Sequence, residues 1–476
     1  MIVMVHFETT GCRLNQIESE SAARIFLDKS FSVSLSSFTA KSAVDPDIVL
    51  CVLNTCAVTQ KAEQKNRRII RLLLEKCPRA AVLVTGCYAQ LSPENIESID
   101  KRIAALPGLL KSRIEDVAAE LSAFIAEKSE FCAADFAALL KAGICARAPE
   151  KSGFSENAFK LSTDSFLAHS RSSIKIQDGC NNACSYCTIH IARGHSVSLD
   201  ARTVIDRVKQ LESAGQSEVV FTGVNIGQYR GAYNGGYIDF AYLLKLCLEE
   251  TSSICFRISS LYPEVADDFF CDVIKDCRVR PHFHISVQSG SDSVLKRMAR
   301  AYTADDVRTA CRKLSEAKKN PFLACDIITG FPGETDSDFE DTLSLCRDCG
   351  FAWVHIFPFS ERPGTPACAM KPKIPQSVSG ERARVLGEWA ALSKIRYIES
   401  CIGNTYSAVL ETVKRPAVYA DGMEMYHAVT ENFLHCKIIR KPSDKKIQPG
   451  SAVFVRIISA VPSKKGGEID CTAEIV

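Results

Sequence analysis

Apolar positions in the first hundred residues fall into short unbroken blocks, each ending in a polar turn. Blocks at 3–8, 48–53 and 81–85 predict strands, because aliphatic runs of this length bounded by turn residues suit a sheet buried on both faces. Between them, 17–28 predicts a helix. A second helix is predicted over 61–71, with Ile69, Leu72 and Leu73 toward a core and its basic side chains on another flank. The stretch 111–165 is less regular. It is alanine-rich and reads as helical near 114–128 and 133–141, then passes through the linker-like Pro149-Glu150-Lys151-Ser152-Gly153. From 173 the strand blocks return with a steady period, at 173–177, 218–222, 255–260, 284–288, 323–328 and 353–357. Helices such as 202–214 and 303–317 separate them. Six such units predict a parallel sheet, closed or partly closed into a barrel. Beyond 404 the chain shows short β-rich runs at 406–410, 425–429 and 452–458, broken by Gly and Pro.

A chain of 476 residues exceeds one simple core, so two or three domains are expected. The N-terminus lacks the basic and apolar regions of a signal peptide, and no apolar run approaches a membrane span. The 22 cysteines are therefore expected as reduced thiols in a cytoplasm, with some ligating metal, rather than as a disulfide scaffold. Net charge is only +2, so nucleic-acid binding has to come from local patches. One candidate lies between Cys436 and Lys465, where eight Lys or Arg face one Asp. The basic helix over 61–71 is another, although a solvated face is the plainer reading of both.

The sharpest chemical signal is Cys180-Asn181-Asn182-Ala183-Cys184-Ser185-Tyr186-Cys187, directly after the first barrel strand. Thiolates are soft ligands that suit iron–sulfur clusters or zinc. A structural zinc site takes four protein ligands; here three cysteines are local, and His190 is the nearest nitrogen. A cubane on three cysteines leaves one iron open for a substrate or cofactor. Three further cysteines share a different pattern. Cys12, Cys56 and Cys87 each follow a predicted strand of the N-terminal segment, so an α/β sheet brings them to its carboxyl edge, where ligands gather. They could hold a second cluster or be ordinary packing cysteines. The remaining barrel strands end in Thr222-Gly223-Val224-Asn225, Ser259-Ser260, Ser286-Val287-Gln288, Gly330-Phe331-Pro332-Gly333-Glu334 and Pro358-Phe359-Ser360. Glycines there admit a ligand close to backbone, and hydroxyls and amides can bond it.

With Gly11-Cys12, Asn54-Thr55-Cys56, Gly86-Cys87, the cysteine triplet and the Ser286-Val287-Gln288-Ser289-Gly290 stretch together, the chain resembles the methylthiotransferases of the radical S-adenosylmethionine (SAM) superfamily. It is most similar to the branch that modifies N6-threonylcarbamoyladenosine in tRNA, and Thr222-Gly223-Val224-Asn225-Ile226-Gly227 points to that branch over the isopentenyladenosine one.

The resemblance implies an α/β protein of three parts: an N-terminal methylthiotransferase domain over 1–150, a partial (β/α)6 radical SAM barrel over 166–403, and an RNA-binding β-barrel of the TRAM type over 404–476. It implies an auxiliary 4Fe–4S cluster on Cys12, Cys56 and Cys87, and a SAM-binding 4Fe–4S cluster on Cys180, Cys184 and Cys187. Tyr186, Thr222, Gly223, Asn225, Ser259, Ser286, Gln288, Gly330 and Glu334 are the expected cofactor-binding residues. Two SAM molecules are implied. One methylates a sulfur on the auxiliary cluster; the other yields a deoxyadenosyl radical that takes hydrogen from C2 of the adenine at position 37. The expected partners are tRNA and a flavodoxin- or ferredoxin-type electron donor, with no membrane. Two departures stand out. Gly194-His195-Ser196-Val197-Ser198-Leu199 replaces an arginine-containing stretch, and Pro107-Gly108 leads into Leu109-Leu110-Lys111-Ser112 instead of a valine-rich one. Methylthiotransferases for isopentenyladenosine or for a ribosomal-protein aspartate, and a zinc-bound RNA-binding module, are the rival readings.

Overall fold

The computed structural model describes residues 3–128, 130–146, 158–161, 171–411, 424–440, 449–461 and 469–476. The first apolar blocks form strands β1 (Met4–Thr9), β2 (Ser32–Ser34), β3 (Ile48–Thr55), β4 (Ala81–Gly86) and β5 (Ile103–Ala105). They build an all-parallel sheet in the order β2-β1-β3-β4-β5. Every residue of β3 and β4 is buried, as strands covered on both faces require. The first helix spans Arg13–Asp28 and so starts four residues before the apolar pattern does, with Cys12 as its N-cap. The basic helix spans Gln60–Lys76. Its buried face is Asn66, Ile70 and Leu73, spaced i, i+4, i+7, while Ile69 and Leu72 are only half-buried. Lys61, Lys65, Arg68 and Arg71 are exposed.

The second layer of the chain comprises β6 (Ser172–Lys175), the short antiparallel pair β7 (Gln177–Asp178) and β8 (Val197–Ser198), β9 (Glu218–Thr222), the hairpin β10 (Gly231–Tyr233) and β11 (Gly236–Ile238), β12 (Cys255–Ile258), β13 (His282–Gln288), β14 (Phe322–Thr329) and β15 (Trp353–Pro358). Two three-stranded parallel sheets, β12-β9-β6 and β13-β14-β15, are joined at Phe256–Val279 and Leu261–Ile285. The result is an open barrel in which β6 and β15 are the free edges, as the partly closed alternative anticipated. Helix Gln376–Cys401 then leads to a closed β-barrel, ordered β16-β17-β18-β20-β19, of β16 (Thr405–Glu411), β17 (Glu424–Thr430), β18 (His435–Arg440), β19 (Ala452–Ala460) and β20 (Cys471–Ile475). Apart from 158–161, the boundary expected near 150–168 lies outside the described residues, as do Lys441, Lys445, Lys446, Lys464 and Lys465 of the basic stretch.

Polar contacts position the three parts. The N-terminal domain spans the barrel's gap. On the β6 side Arg13 Nη1 donates to Ser173 Oγ at 3.0 Å, and Lys175 pairs with Glu18 at 3.1 Å. On the β15 side the Gln60 N–H donates to Ser360 Oγ at 3.1 Å, and Arg362 pairs with Glu63. The small barrel seats at the opposite rim. Arg257 donates to the Thr430 and Glu431 carbonyls, both at 3.1 Å, and shares buried Glu218 with Arg280. Burial would raise the Glu218 pKa, yet Arg257, Arg280 and Arg171 hold it at about 2. Phe322 and Ala324, at the start of β14, share one apolar core with the small barrel.

Candidate active site

Side chains alternate across a strand, so every second residue of β13, β14 and β15 faces the barrel interior. From the carboxyl ends inward these are Gln288, Ser286, His284 and His282; Ile328, Asp326, Ala324 and Phe322; and Phe357, His355 and Trp353. The interior is thereby divided into two cavities stacked along the barrel axis. The upper one, about 270 Å³, is lined by Cys180, Cys184, Tyr186, Cys187, Ser286, Gln288, Arg300 and Asp326, together with Val58 and Thr59 of the N-terminal domain. The lower one is larger, about 710 Å³, and includes His282, His284, His355 and Arg13 in its walls.

Each thiol of the barrel triad has a donor. The Asn182 N–H points at Cys180 Sγ and the Ile189 N–H at Cys187 Sγ, both at 3.4 Å, and Arg300 Nη1 at Cys184 Sγ at 3.3 Å. Arg300 is itself fixed by Tyr262 Oη at 2.9 Å, Tyr302 Oη at 2.7 Å and the Ser286 carbonyl at 2.8 Å, and it stacks over both tyrosine rings. Burial pushes the Cys187 thiol up to about 12 and raises that of Cys180, so a bound cation is what would hold them as thiolates.

The second triad is brought together by three strand ends. Cys12 caps the first helix, Cys56 follows β3, and Cys87 opens the helix Cys87–Leu91 after Gly86. Gly11 and Gly86 have φ of +101° and +94°, and a side chain on either would run into Cys56 or into the Thr55 carbonyl. Three amides tie the loops. Asn15 Nδ2 donates to the Thr10 and Thr55 carbonyls, Asn54 Nδ2 to the Asn15 carbonyl, and Asn66 Nδ2 to the Cys56 carbonyl at 2.6 Å. Burial lifts the Cys56 thiol to about 11 and raises Cys87 as well. Among the described residues no three His, Cys, Asp or Glu side chains close on one metal ion. The nearest carboxylates, Glu18 and Asp178, are taken by Arg193 and lysines. An all-sulfur donor set with hydrogen-bonded thiols fits an iron–sulfur cluster, in which each thiolate takes its own iron.

The expected cofactor residues divide. Tyr186, Ser286 and Gln288 line the upper cavity with the triad. Thr222, Gly223 and Asn225 do not line it. They back the cluster loop through Gln177, whose Oε1 accepts from the Asn225 N–H at 2.8 Å. Ser259 faces the lower cavity instead. Gly330 and Glu334 form a turn: Glu334 Oε2 accepts from the Gly330 N–H at 2.6 Å and pairs with Arg382 at 2.6 Å. Arg193 directly precedes the altered stretch 194–199. It is buried in a network with Glu18, Asp178 and Asn15. The pattern reading missed Arg300, Asp326, Val58 and Thr59, because their places depend on contacts distant in sequence.

An open parallel barrel with a three-cysteine loop after its first strand defines a radical SAM enzyme, and residues 174–346 match the radical SAM superfamily model. Residues 4–108 match uncharacterized protein family UPF0004. The threonylcarbamoyladenosine tRNA methylthiotransferase MtaB of Treponema pallidum is 42% identical, with 95% of this chain and 98% of that protein covered. The MtaB protein of Thermotoga maritima is 35% identical over 89% of this chain and 90% of its own length. A tRNA-2-methylthio-N(6)-dimethylallyladenosine synthase of Shigella boydii is 29% identical, covering 88% of this chain and 84% of that protein. The chain belongs to the MtaB family of tRNA methylthiotransferases. SAM and 4Fe–4S clusters are the cofactors of this class. Among the described residues no helix is long and apolar enough to cross a membrane.

Proposed function

We propose that this protein converts N6-threonylcarbamoyladenosine at position 37 of tRNA to its 2-methylthio derivative. Cys180, Cys184 and Cys187 hold the SAM cluster and Cys12, Cys56 and Cys87 the auxiliary one. The observation that carries this reading is that Val58 and Thr59, just past Cys56, line the same cavity as the barrel triad. The loop after Cys56 thus meets the barrel triad at one chamber, which supports transfer from one cluster to a carbon activated at the other. When bound, the clusters and SAM supply the hydrogen abstraction at C2 and the methylthio group. The chain supplies placement: Arg300 fixes Cys184, and Tyr186 packs edge-on against Phe331, which in turn meets Phe359 in the chamber wall. The division into 1–150, 166–403 and 404–476, a flavodoxin- or ferredoxin-type donor and a cytoplasmic site of action belong to the same proposal. The test is nucleoside mass spectrometry of tRNA from cells with and without this protein. Loss of 2-methylthio-N6-threonylcarbamoyladenosine is expected; loss of the isopentenyl derivative instead, or no change, would overturn the reading.

The small barrel is the proposed RNA-binding part. On β19, Phe454 and Ile458 are exposed beside Arg456, at 62% and 47% for the two apolar residues. An exposed aromatic beside a cation suits a nucleobase, and stacking of this kind contributes about 1–3 kcal/mol per base. Phe454→Ala is expected to weaken tRNA binding roughly five- to a hundredfold on that scale, with deoxyadenosine formation in the absence of tRNA unchanged. Filter binding beside product analysis checks it, and unaltered affinity would show that Phe454 faces only solvent.

A further inference from the structure

The lower cavity has no assigned role, and its chemistry is unusual for a barrel interior. Five of the chain's nine histidines line it: His282, His284, His355, His427 and His435. Three polar atoms in its walls are buried without a hydrogen-bond partner: Ser259 Oγ, His282 Nδ1 and His284 Nε2. His282 is only 7% exposed. Burial, then Arg257 and the neighbouring His284, hold its pKa well below the ordinary histidine value, so it faces the cavity neutral. His284 forms the boundary between the two cavities. Its Nδ1 lies 2.6 Å from Ser260 Oγ, and its Nε2 stands 3.2 Å from Asp326 of the upper cavity, without the alignment of a hydrogen bond.

The charges are just as specific. Glu411 is paired with Arg171 and His435, and Asp470 with Lys394 and the His435 N–H. Arg257 is spent on Glu218. Arg13 has Ser173 Oγ as its bond and, among the described residues, no carboxylate within ion-pair reach. A half-buried guanidinium without a counter-ion calls for an anion.

We propose that the lower cavity receives the threonylcarbamoyl arm of the substrate adenosine, with Arg13 pairing its carboxylate. This rests on the reading of the upper cavity given above. An adenine with C2 turned to the barrel triad carries N6 on the far side of N1, so its arm leads away from Cys180, Cys184 and Cys187. The arm extends about 6 Å beyond N6 on ordinary bond lengths. Two residues of strand cover about 7 Å, the step from Ser286 to His284 or from Asp326 to Ala324. The arm ends in a carboxylate, a hydroxyl and ureido N–H groups. These match Arg13 and the unpartnered Ser259, His282 and His284, and the remaining volume holds bridging water. An isopentenyl arm would leave all four polar groups unmet, so the same residues would set the choice between the two tRNA substrates.

The test uses the cluster-loaded protein without reductant, and anticodon stem–loop RNA carrying either adenosine or N6-threonylcarbamoyladenosine at position 37. Wild type is expected to favour the modified RNA by roughly tenfold or more, the scale of a charge-assisted contact. Arg13→Met should bring that preference close to one while leaving iron content and affinity for the unmodified RNA unchanged, and Arg13→Lys should keep part of it. Equal weakening toward both RNAs would mean a phosphate contact and would overturn the proposal, as would a preserved preference. Arg13 adjoins Cys12, so Ser259→Leu, which fills the cavity from the barrel side, gives a second measurement. It should lower affinity for the modified RNA alone, and a preference equal to wild type overturns the proposal whatever Arg13→Met does. Wild-type turnover of modified tRNA is scored separately: its absence removes the methylthiotransferase reading, whereas its presence beside an unmoved preference removes only the assignment of this cavity.

Discussion

Exchanging Cys56 for alanine is expected to leave SAM cleavage running and to abolish the methylthio product. Cys12, Cys56 and Cys87 come from three strand ends of the N-terminal sheet, while Cys180, Cys184 and Cys187 share one barrel loop with its own hydrogen-bond donors. The sites have no ligand in common, so losing a thiolate from one should release that cluster alone, roughly half of the total iron for two separately ligated cubanes. Deoxyadenosine should still form under reduction. Product should not, because the sulfur to be methylated has no anchored cluster. Cys184→Ala is the mirror image, losing the other half of the iron and deoxyadenosine formation with it. Cys51 supplies the control. It lies on the same strand, fully buried in an apolar core beside Cys77, and belongs to neither triad. Cys51→Ala should keep full iron and full product and cost only the modest stability of one small buried side chain, about 1 kcal/mol. Iron analysis, deoxyadenosine and methylthio nucleoside measured on one preparation separate the cases. Full iron and product in Cys56→Ala would reduce that residue to packing.

The parts of this architecture that were legible in the sequence are those that repeat locally. β3 and β4 announce themselves as unbroken aliphatic runs because both of their faces are covered, and the cysteine after each run is placed by the strand itself. The cluster loop is legible because all three ligands lie within eight residues. What stayed hidden depends on meetings across the fold. Glu18 and Glu20 carry charges that nothing in their local sequence marks as buried, yet both are buried in the first helix. Arg300 sits in an ordinary helix–loop stretch and reaches a cysteine 116 residues away. The five histidines of the lower cavity come from four strands, two of them alternating on β13 and the others on β15, β17 and β18, so no single spacing rule connects them. The turn at Gly330 and Glu334 was legible only as a Gly-rich strand end, not in its internal contacts. A Gly-rich strand end looks like a ligand loop, and here its carboxylate closes the turn and meets Arg382 from the helix Gln376–Cys401.

Glu18→Gln is expected to be the most damaging change outside the cysteines. Glu18 is the hinge of a buried network that joins the N-terminal domain to the barrel: Lys111, Lys175 and Arg193 surround it, with Asp178 as the other carboxylate. Three cations against two anions leave no spare negative charge. A neutral glutamine would leave Lys111 with no carboxylate and Asp178 to serve both other cations. Breaking a buried ion pair by removing one partner costs about 3–5 kcal/mol, because the remaining charge stays desolvated. The pH dependence follows. Burial would raise the pKa of Glu18, but Arg193, Lys111 and Lys175 outweigh it and hold the group well below 4.5; Asp178, facing the same cations, is lowered from 3.8. A carboxylate depressed in the folded state stabilises fully above its unfolded value, and that contribution is lost as pH falls through the folded value. Urea midpoints of wild type and Glu18→Gln, compared at each pH so that cluster loss common to both cancels, should differ by a constant gap near neutrality. The gap should begin to narrow below about 4.5, where Glu18 of the unfolded wild-type chain takes up its proton, and close as pH falls through the folded value. A gap that persists undiminished into acid would place the acid-sensitive stability in other groups. Product formation should fall further than deoxyadenosine formation in this variant, since the network holds the Cys12, Cys56 and Cys87 loops against the barrel, while the barrel triad keeps its own donors.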